Sequence, residues 1–181
     1  MRIITGSARG CRLKTPKGQE TRPTSDRVKE SLFNILGQKV SGRHVLDIFA
    51  GTGNLGLEAL SRDAADACFV DQATAALIKE NAAHAHLLER AEVHGGDVFA
   101  ELSRFARAGR SFDLIFCDPP YHKGLFEQAL VFFDESQVSL SIISKQGITG
   151  STPDFIIKNS NGTYACRIYF FKTFFSNIIF N

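Results

Sequence analysis

A glycine-rich turn between a predicted strand and a predicted helix holds the first residues that could do chemistry. The segment 47–56 follows an apolar run and opens a helical pattern. Its G-x-G-x-x-G spacing is typical of turns whose backbone approaches a ligand. Asp71 ends the next apolar run, where a carboxylate can accept both ribose hydroxyls of an adenosine. The pattern indicates a nucleotide-like cofactor and still permits NAD.

Asp47, directly before this turn, narrows the choice of cofactor. A carboxylate there would repel a pyrophosphate but attract the ammonium of a cofactor that carries an amino acid. S-adenosylmethionine has that ammonium and a sulfonium as well. Asp97 follows the third predicted strand and could accept a hydrogen bond from an adenine amino group or cap the next helix. The predicted cofactor-binding residues are Asp47, Gly51, Thr52, Gly53, Asn54, Gly56, Asp71, Asp97 and Val98.

An Asp-Pro-Pro-Tyr sequence directly follows the fourth predicted strand, at the edge where open α/β sheets bind ligands. Methylating an exocyclic amine requires acceptors for its N–H groups, because the nitrogen lone pair is delocalised into the base and must be turned toward the methyl donor. Asp118 and a proline carbonyl supply two acceptors, and prolines add no competing N–H. Tyr121 offers a face for the base, worth about 1 to 3 kcal/mol. The predicted catalytic residues are Asp118, which could also take up the proton, Pro119, Pro120 and Tyr121.

Alternating strands and helices position both motifs. Four strand-then-helix units from residue 44 onward predict a doubly wound α/β fold with a mostly parallel, Rossmann-like sheet. The predicted strands are 44–50, 67–71, 91–94 and 113–117, and the predicted helices are 55–61, 74–88, 98–106 and 125–133. An earlier amphipathic helix, capped within 21–25 and ending at Gly37, is expected to turn Arg27 and Lys29 outward.

The pattern changes after about residue 135. Residues 139–144 predict a fifth strand, and the apolar runs 154–158 and 164–172 flank Asn161-Gly162, a strong hairpin signal. We therefore expect an antiparallel C-terminal hairpin that completes a seven-stranded sheet.

Positive charge is concentrated at the start of the chain. The protein has 181 residues and a net charge of +2, yet residues 1–30 carry eight basic and three acidic side chains. Such a basic extension suits a polyanion, although an ordinary solvated face would have the same composition.

The spacing of the cysteines argues against a metalloprotein, and the apolar runs argue against a membrane or secreted protein. The four cysteines lie far apart with no C-x-x-C pair, so we predict no zinc or other metal site. No apolar run reaches about 18 residues, and the first residues lack the apolar region of a signal peptide. We therefore expect a soluble cytoplasmic protein with no membrane partner.

Taken together, the motifs resemble class I S-adenosylmethionine-dependent methyltransferases of the Asp-Pro-Pro-Tyr type. They are closest to the RsmD family of 16S rRNA guanine-N2 methyltransferases. The segments that carry this resemblance are 6–13, 21–36, 47–60 and 118–124. It implies methyl transfer from S-adenosylmethionine, with S-adenosylhomocysteine as product, to the N2 amine of a guanine. The implied partner is 16S rRNA, the small ribosomal subunit or an assembly intermediate.

The resemblance also implies the domain organisation and an RNA-binding surface. We expect a basic N-terminal arm and helix over residues 1–40 and a methyltransferase domain over residues 41–181, forming one compact monomeric unit. The residues expected to bind RNA are Arg9, Arg12, Lys14, Arg22, Thr24, Arg27 and Lys123.

Three alternatives remain open at this point. A DNA adenine or cytosine amino-methyltransferase would use the same motifs but would need room for a target-recognition domain. A non-catalytic RNA-binding assembly module is favoured by Ile143-Ser144-Lys145, which stands where the family usually has a Glu-His pair. A nicotinamide oxidoreductase is disfavoured by Asp47 and has no need of the Asp-Pro-Pro-Tyr sequence.

Overall fold

The fold is built on a parallel sheet with helices on both faces. The computed structural model describes residues 1–16, 26–119 and 124–135, and four short strands beyond them. The α-helices are α1 (Asp26–Leu36), α2 (Asn54–Ser61), α3 (Ala75–His84), α4 (Val98–Arg107) and α5 (Leu125–Glu135). The strands are β1 (His44–Ile48), β2 (Asp66–Val70), β3 (Ala91–His94), β4 (Ser111–Phe112), β5 (Leu114–Cys117), β6 (Ser139–Leu140), β7 (Lys158–Asn159), β8 (Gly162–Thr163) and β9 (Ile168–Phe170). None of the helices in these described parts is long and apolar enough to cross a membrane.

The main sheet has the strand order β3-β2-β1-β5-β9, with every neighbouring pair parallel. The predicted parallel α/β architecture is therefore confirmed. The chain leaves β1 toward β2 on one side and later returns to place β5 on the other. This reversal creates a switch point at the carboxyl ends of β1 and β5, the usual ligand site in such sheets.

Side-chain alternation along the strands separates two hydrophobic cores. On one face, Val45, Phe69 and Phe116 pack with residues of α1, α2 and α3. On the other face, Leu46 and Ile115 pack with residues of α4 and α5. Because both faces are covered, the central strands are apolar along nearly their whole length.

The end of the chain differs from the prediction in one respect. β9 lies parallel to β5, whereas we expected an antiparallel arrangement there. On the side away from β1, β5 offers an open edge, and the apolar segment of β9 hydrogen-bonds to it. β6 pairs with β4 apart from the main sheet, and β7 pairs antiparallel with β8. The described main sheet thus has five strands, and the count of seven stays a prediction.

The first residues fold into a hairpin that lies on α2. We call residues 1–13 the N-terminal hairpin; Arg2 and Arg12 form its antiparallel bridge. The amide of Ser7 donates to the Ser61 carbonyl at 2.8 Å, and the Ser61 hydroxyl donates to the Thr5 carbonyl at 2.6 Å. Gly6 allows this contact, because its φ is +88° and a Cβ there would lie 1.6 Å from the Ser61 carbonyl oxygen.

A buried ion pair joins this hairpin to α1 and α2. The prediction that Lys29 points outward is wrong, since its side chain is fully buried and its ammonium lies 3.0 Å from Glu58. The ammonium also donates to the Arg2 carbonyl at 2.6 Å and to Asn54 Oδ1 at 2.7 Å. Burial lowers the pKa of Lys29, and the Glu58 carboxylate opposes that shift. The helical pattern of α1 alone gave no sign of this partner on a distant helix.

Glu58 receives hydrogen bonds from several parts of the chain. Its carboxylate accepts from the amides of Ile4 at 2.7 Å and Thr5 at 3.1 Å, and from Arg62 Nε at 2.9 Å. Among the described residues, the donors to Glu58 are charged or belong to the backbone, so this fully buried carboxylate is well compensated.

We expect the substitution Lys29→Met to destabilise the protein by about 3 kcal/mol in urea unfolding. Removing one partner of a buried ion pair costs about 3 to 5 kcal/mol, and Arg62 still faces Glu58 here. Lys29→Met combined with Glu58→Gln should recover part of the loss, whereas Lys39→Met, at an exposed lysine, should change little. Equal unfolding midpoints for the two lysine variants would contradict a structural role for the pair.

Candidate active site

Strand order brings the two predicted motifs together at the switch point. Ile48 of β1 is in register with Cys117 of β5, so Asp47 and Asp118 lie at neighbouring strand ends. Asp71 follows β2, on the other side of β1. Asp118 is half-buried and Pro119 is buried. Pro120 and Tyr121, the rest of the predicted catalytic group, lie outside the described residues.

The glycine-rich turn has the backbone conformation that its residues predict. Gly51 and Gly53 have φ values of +56° and +77°, and Gly53 leads directly into α2. Phe49 also has a positive φ, +57°, which its residue type did not indicate. A Cβ built on Gly51 would meet no atom within 4 Å among the described residues, so open space lies beside the turn. A ligand can therefore approach the backbone here.

Asp71, which directly follows β2, also holds the glycine-rich turn in place. Its Oδ2 accepts from the Gly51 amide at 2.9 Å, and its Oδ1 accepts from the amides of Ala73 and Thr74, each at 2.9 Å. An ionised carboxylate has about four acceptor positions, so these three bonds leave room for one ribose hydroxyl rather than the two that the sequence analysis assigns to Asp71. The sequence did not reveal that Asp71 fixes the position of Gly51.

The carboxyl group of Asp47 is buried where α2 packs closely against the sheet. Its Oδ2 accepts from the Gly56 amide at 2.8 Å, and the residue is 2% exposed. Burial raises the pKa of Asp47 well above its usual value, and the charges of Asp118 and Asp71 raise it further. A Cβ on Gly56 would lie 2.3 Å from the ring of Phe69, so glycine is required here.

The arrangement fits a cationic cofactor that carries an amino acid. Burial and the charges of Asp118 and Asp71 disfavour the ionised form of Asp47, and a bound ammonium or sulfonium would favour it. Asn54 Nδ2 is buried with no hydrogen-bond partner among the described residues, and the amide oxygen of Asn54 accepts from the Lys29 ammonium.

Two further predicted cofactor residues, Asp97 and Val98, make structural contacts, and so does Thr52 of the glycine-rich turn. Asp97 is exposed and caps α4, accepting from the Ala100 amide at 2.9 Å, while Val98, the first residue of α4, is buried in the core between α4 and the sheet. The Thr52 carbonyl accepts from Asn81 Nδ2 at 3.0 Å, and Asn81 Oδ1 accepts from the Lys14 amide at 2.8 Å. Asn81 thus links the glycine-rich turn to Lys14, directly after the N-terminal hairpin.

Four of the residues expected to bind RNA lie on the described surface. Arg9, Arg12 and Arg27 are exposed, and exposed Lys14 forms an ion pair with Glu80. Arg22, Thr24 and Lys123 lie outside the described residues.

The structure also assembles Cys68, Glu92 and His94, whose spacing gave no indication of a cluster. Their possible ligand atoms lie within 4.8 Å of one another. Arg110 donates to both oxygens of Glu92, at 2.8 and 2.7 Å, and burial raises the pKa of Cys68 to about 12. A neutral thiol beside an ion pair disfavours metal binding, which requires the thiolate.

Acid should weaken the binding of S-adenosylmethionine at a higher pH than an ordinary aspartate would cause. Because the pKa of Asp47 is raised, its carboxyl loses charge early on acidification, and the neutral form does not attract an ammonium. Affinity should be full above that raised pKa and fall as the pH drops through it. The free energy of unfolding of the ligand-free protein responds in the opposite sense. It decreases as the pH rises through the raised pKa of Asp47, because ionising the buried carboxyl group is unfavourable.

Calorimetric titration across pH tests this expectation. Asp47→Asn should bind the cofactor about tenfold or more weakly at neutral pH, a loss of about 1.4 kcal/mol, and should lose the pH dependence. The control Asp63→Asn, at an exposed aspartate, should keep both. An unchanged profile in Asp47→Asn would remove this residue from the cofactor site.

Comparison with known proteins identifies the family. A family model described as Conserved hypothetical protein 95 matches residues 1–146. The Bacillus subtilis (strain 168) protein YlbH is 41% identical over 140 residues, which cover 76% of each chain. Ribosomal RNA small subunit methyltransferase D of Escherichia coli (strain K12) is 37% identical over 138 residues, covering 75% of this chain and 68% of that protein.

A solved structure agrees with these matches. That of yhhF from Escherichia coli has a TM-score of 0.64 and 39% identity, covering 75% of this chain and 72% of its own. The family resemblance inferred from the motifs is confirmed. The chain belongs to the family described as Conserved hypothetical protein 95, the RsmD family of methyltransferases.

Proposed function

We propose that the protein transfers a methyl group from S-adenosylmethionine to the exocyclic N2 amine of a guanine in 16S rRNA. The observation that carries this proposal is the position of Asp118 beside Asp47 and the glycine-rich turn at one switch point. The acceptor for the amine, Asp118, therefore lies next to the site for the cationic methyl donor. The name of the Escherichia coli relative, ribosomal RNA small subunit methyltransferase D, supports the substrate class.

The residues of the turn and its neighbours hold the cofactor in this proposal. Asp47 and Asp71 take its ammonium and its ribose, Gly51 and Gly53 allow close approach, and Asp97 reaches the adenine. The bound sulfonium supplies an activated methyl group with a neutral thioether as leaving group. The protein therefore contributes mainly alignment for in-line transfer.

The Asp-Pro-Pro-Tyr sequence holds the base. Asp118 and the Pro119 carbonyl accept the two N–H groups of the amine, and Tyr121 stacks on the guanine. A carbon–nitrogen bond forms as the carbon–sulfur bond breaks, S-adenosylhomocysteine leaves, and the proton passes from the amine to Asp118.

The basic surface docks the RNA. Arg9, Arg12 and Arg27 are exposed, and Arg22, Thr24 and Lys123 are assigned to the same role. A free rRNA or an assembly intermediate leaves the target base accessible for flipping or for presentation in a loop. We further propose a monomer that acts in the cytoplasm, with the basic arm over residues 1–40 packed on a seven-stranded domain over residues 41–181.

Methyl transfer to undermethylated small subunits and to deproteinised 16S rRNA tests the proposal. Asp118→Ala should lower the transfer rate about 10²-fold to 10³-fold while changing cofactor affinity less than about threefold, because a positioned proton acceptor contributes to the transition state only. Asp113→Ala, at the other end of β5, is a matched control for charge and should retain transfer.

Digestion of the product identifies the modified atom. N2-methylguanosine supports the assignment, and methylated adenine or cytosine would contradict it. Cofactor binding without any transfer would favour the non-catalytic assembly module. A comparable loss of cofactor binding and transfer in Asp118→Ala would place that residue in the cofactor site instead.

A further inference from the structure

A basic cavity lies between the N-terminal hairpin and the turn that follows α3. Its volume is about 470 Å³, and its polar lining includes Ser7, Arg9, His84, His86 and Arg90. The described residues that line it include four basic side chains and no carboxylate. Such a lining suits an anion with several oxygen acceptors.

The cavity is separate from the cofactor site. α3 begins beside Asp71, at the edge of the sheet that carries the glycine-rich turn, and ends at His84. A helix of ten residues spans about 15 Å, so the cavity lies near the opposite edge of the sheet. A ligand there would not touch the groups that hold the methyl donor.

Arg90 is a fixed cation in this lining. Its guanidinium donates to the Ala64 carbonyl at 2.8 Å and to the Leu60 carbonyl at 3.1 Å. Two of the five N–H donors are used in this way, so the plane of the guanidinium is held. A held guanidinium loses little conformational entropy when it binds an oxyanion.

His86 has a backbone conformation that favours glycine. It ends α3 in a Schellman motif, in which its amide donates to the Ala83 carbonyl at 3.0 Å and the Leu87 amide donates to the Ala82 carbonyl at 2.9 Å. The φ of His86 is +57°, which costs a residue with a side chain about 1 kcal/mol or more. The turn itself does not need an imidazole, and strain of this kind is common where a side chain meets a ligand.

Exposed basic residues connect the cavity with the cofactor edge. The N-terminal hairpin runs from Arg9 at the cavity to exposed Arg12, and the chain continues to Lys14. The Lys14 amide is bonded to Asn81, which also bonds the Thr52 carbonyl of the glycine-rich turn. A polyanion placed along this path would reach from the cavity to the glycine-rich turn.

We propose that the cavity binds a backbone phosphate of the substrate RNA, at a distance from the target base. The inference rests on the proposed function for the nature of the polyanion. Arg90 and Arg9 bind the phosphate oxygens, and His86 and His84 add N–H donors. This contact contributes to RNA binding and leaves the chemical step unchanged.

The variant His86→Gly separates a ligand role from a structural one. Glycine relieves the backbone strain, so the unfolding midpoint should stay the same or rise. Affinity for a 16S rRNA transcript should fall about threefold to tenfold, while the slope of log affinity against log salt should change by less than the roughly 0.7 to 0.9 of a whole phosphate contact, because Arg9 and Arg90 still neutralise the phosphate. In methyl transfer, KM for RNA should rise while kcat stays unchanged.

Two controls complete the experiment. Arg107→Ala removes an exposed basic residue from α4, on the other face of the sheet, and should leave affinity and salt slope unchanged. Titration with inorganic phosphate alone should show weak binding that His86→Gly reduces. Tight binding of free phosphate combined with unchanged RNA affinity in His86→Gly would indicate a small-molecule site and overturn the proposal.

The remaining outcomes distinguish this inference from the proposed function. Wild-type methyl transfer with identical RNA affinity and salt slope in His86→Gly would overturn the phosphate site alone. A protein that binds RNA and loses affinity in His86→Gly, yet transfers no methyl group, would keep the phosphate site and refute the catalytic proposal. Loss of affinity with equal losses in Arg107→Ala would indicate nonspecific charge and overturn the phosphate site.

Discussion

The buried contact between Lys29 and Glu58 determines how the amino-terminal part of the protein meets the methyltransferase sheet. Charges of this kind are costly to bury, and here each finds several partners drawn from three segments of the chain. The hairpin, α1 and α2 are therefore fixed relative to one another by polar bonds, whose directions are more restrictive than apolar packing. One member of the network, Asn54, stands at the start of the helix that follows the cofactor turn.

The site depends on this framework through short backbone connections. Asp71 holds Gly51, Asn81 holds Thr52, and Gly56 lets α2 approach Asp47. These contacts fix the backbone of the glycine-rich turn and the positions of Asp47 and Asp71 beside it before any ligand binds. The ionised form of Asp47 is disfavoured by burial and by its acidic neighbours in the ligand-free protein, and a cationic ligand beside it would favour that form.

Local sequence predicted the sheet, the helices on both faces and the place of the two motifs, because apolar periodicity and glycine spacing act over neighbouring residues. It could not predict the inward position of Lys29, the hold of Asp71 on Gly51 or the cluster of Cys68 with Glu92. Each of these joins segments that the sheet brings together only after folding. The parallel placement of β9 likewise depends on an open strand edge that the pattern of a single segment does not show.

Gly6 is an exposed position that is as sterically restricted as a buried one. The residue is exposed to solvent, yet the carbonyl oxygen of Ser61 occupies the volume that any side chain would need. Substitution there is limited by the backbone of a neighbouring helix rather than by burial. A side chain at this position would therefore clash as it would in the core, and a map of accessible surface alone would misjudge which residues the fold can exchange.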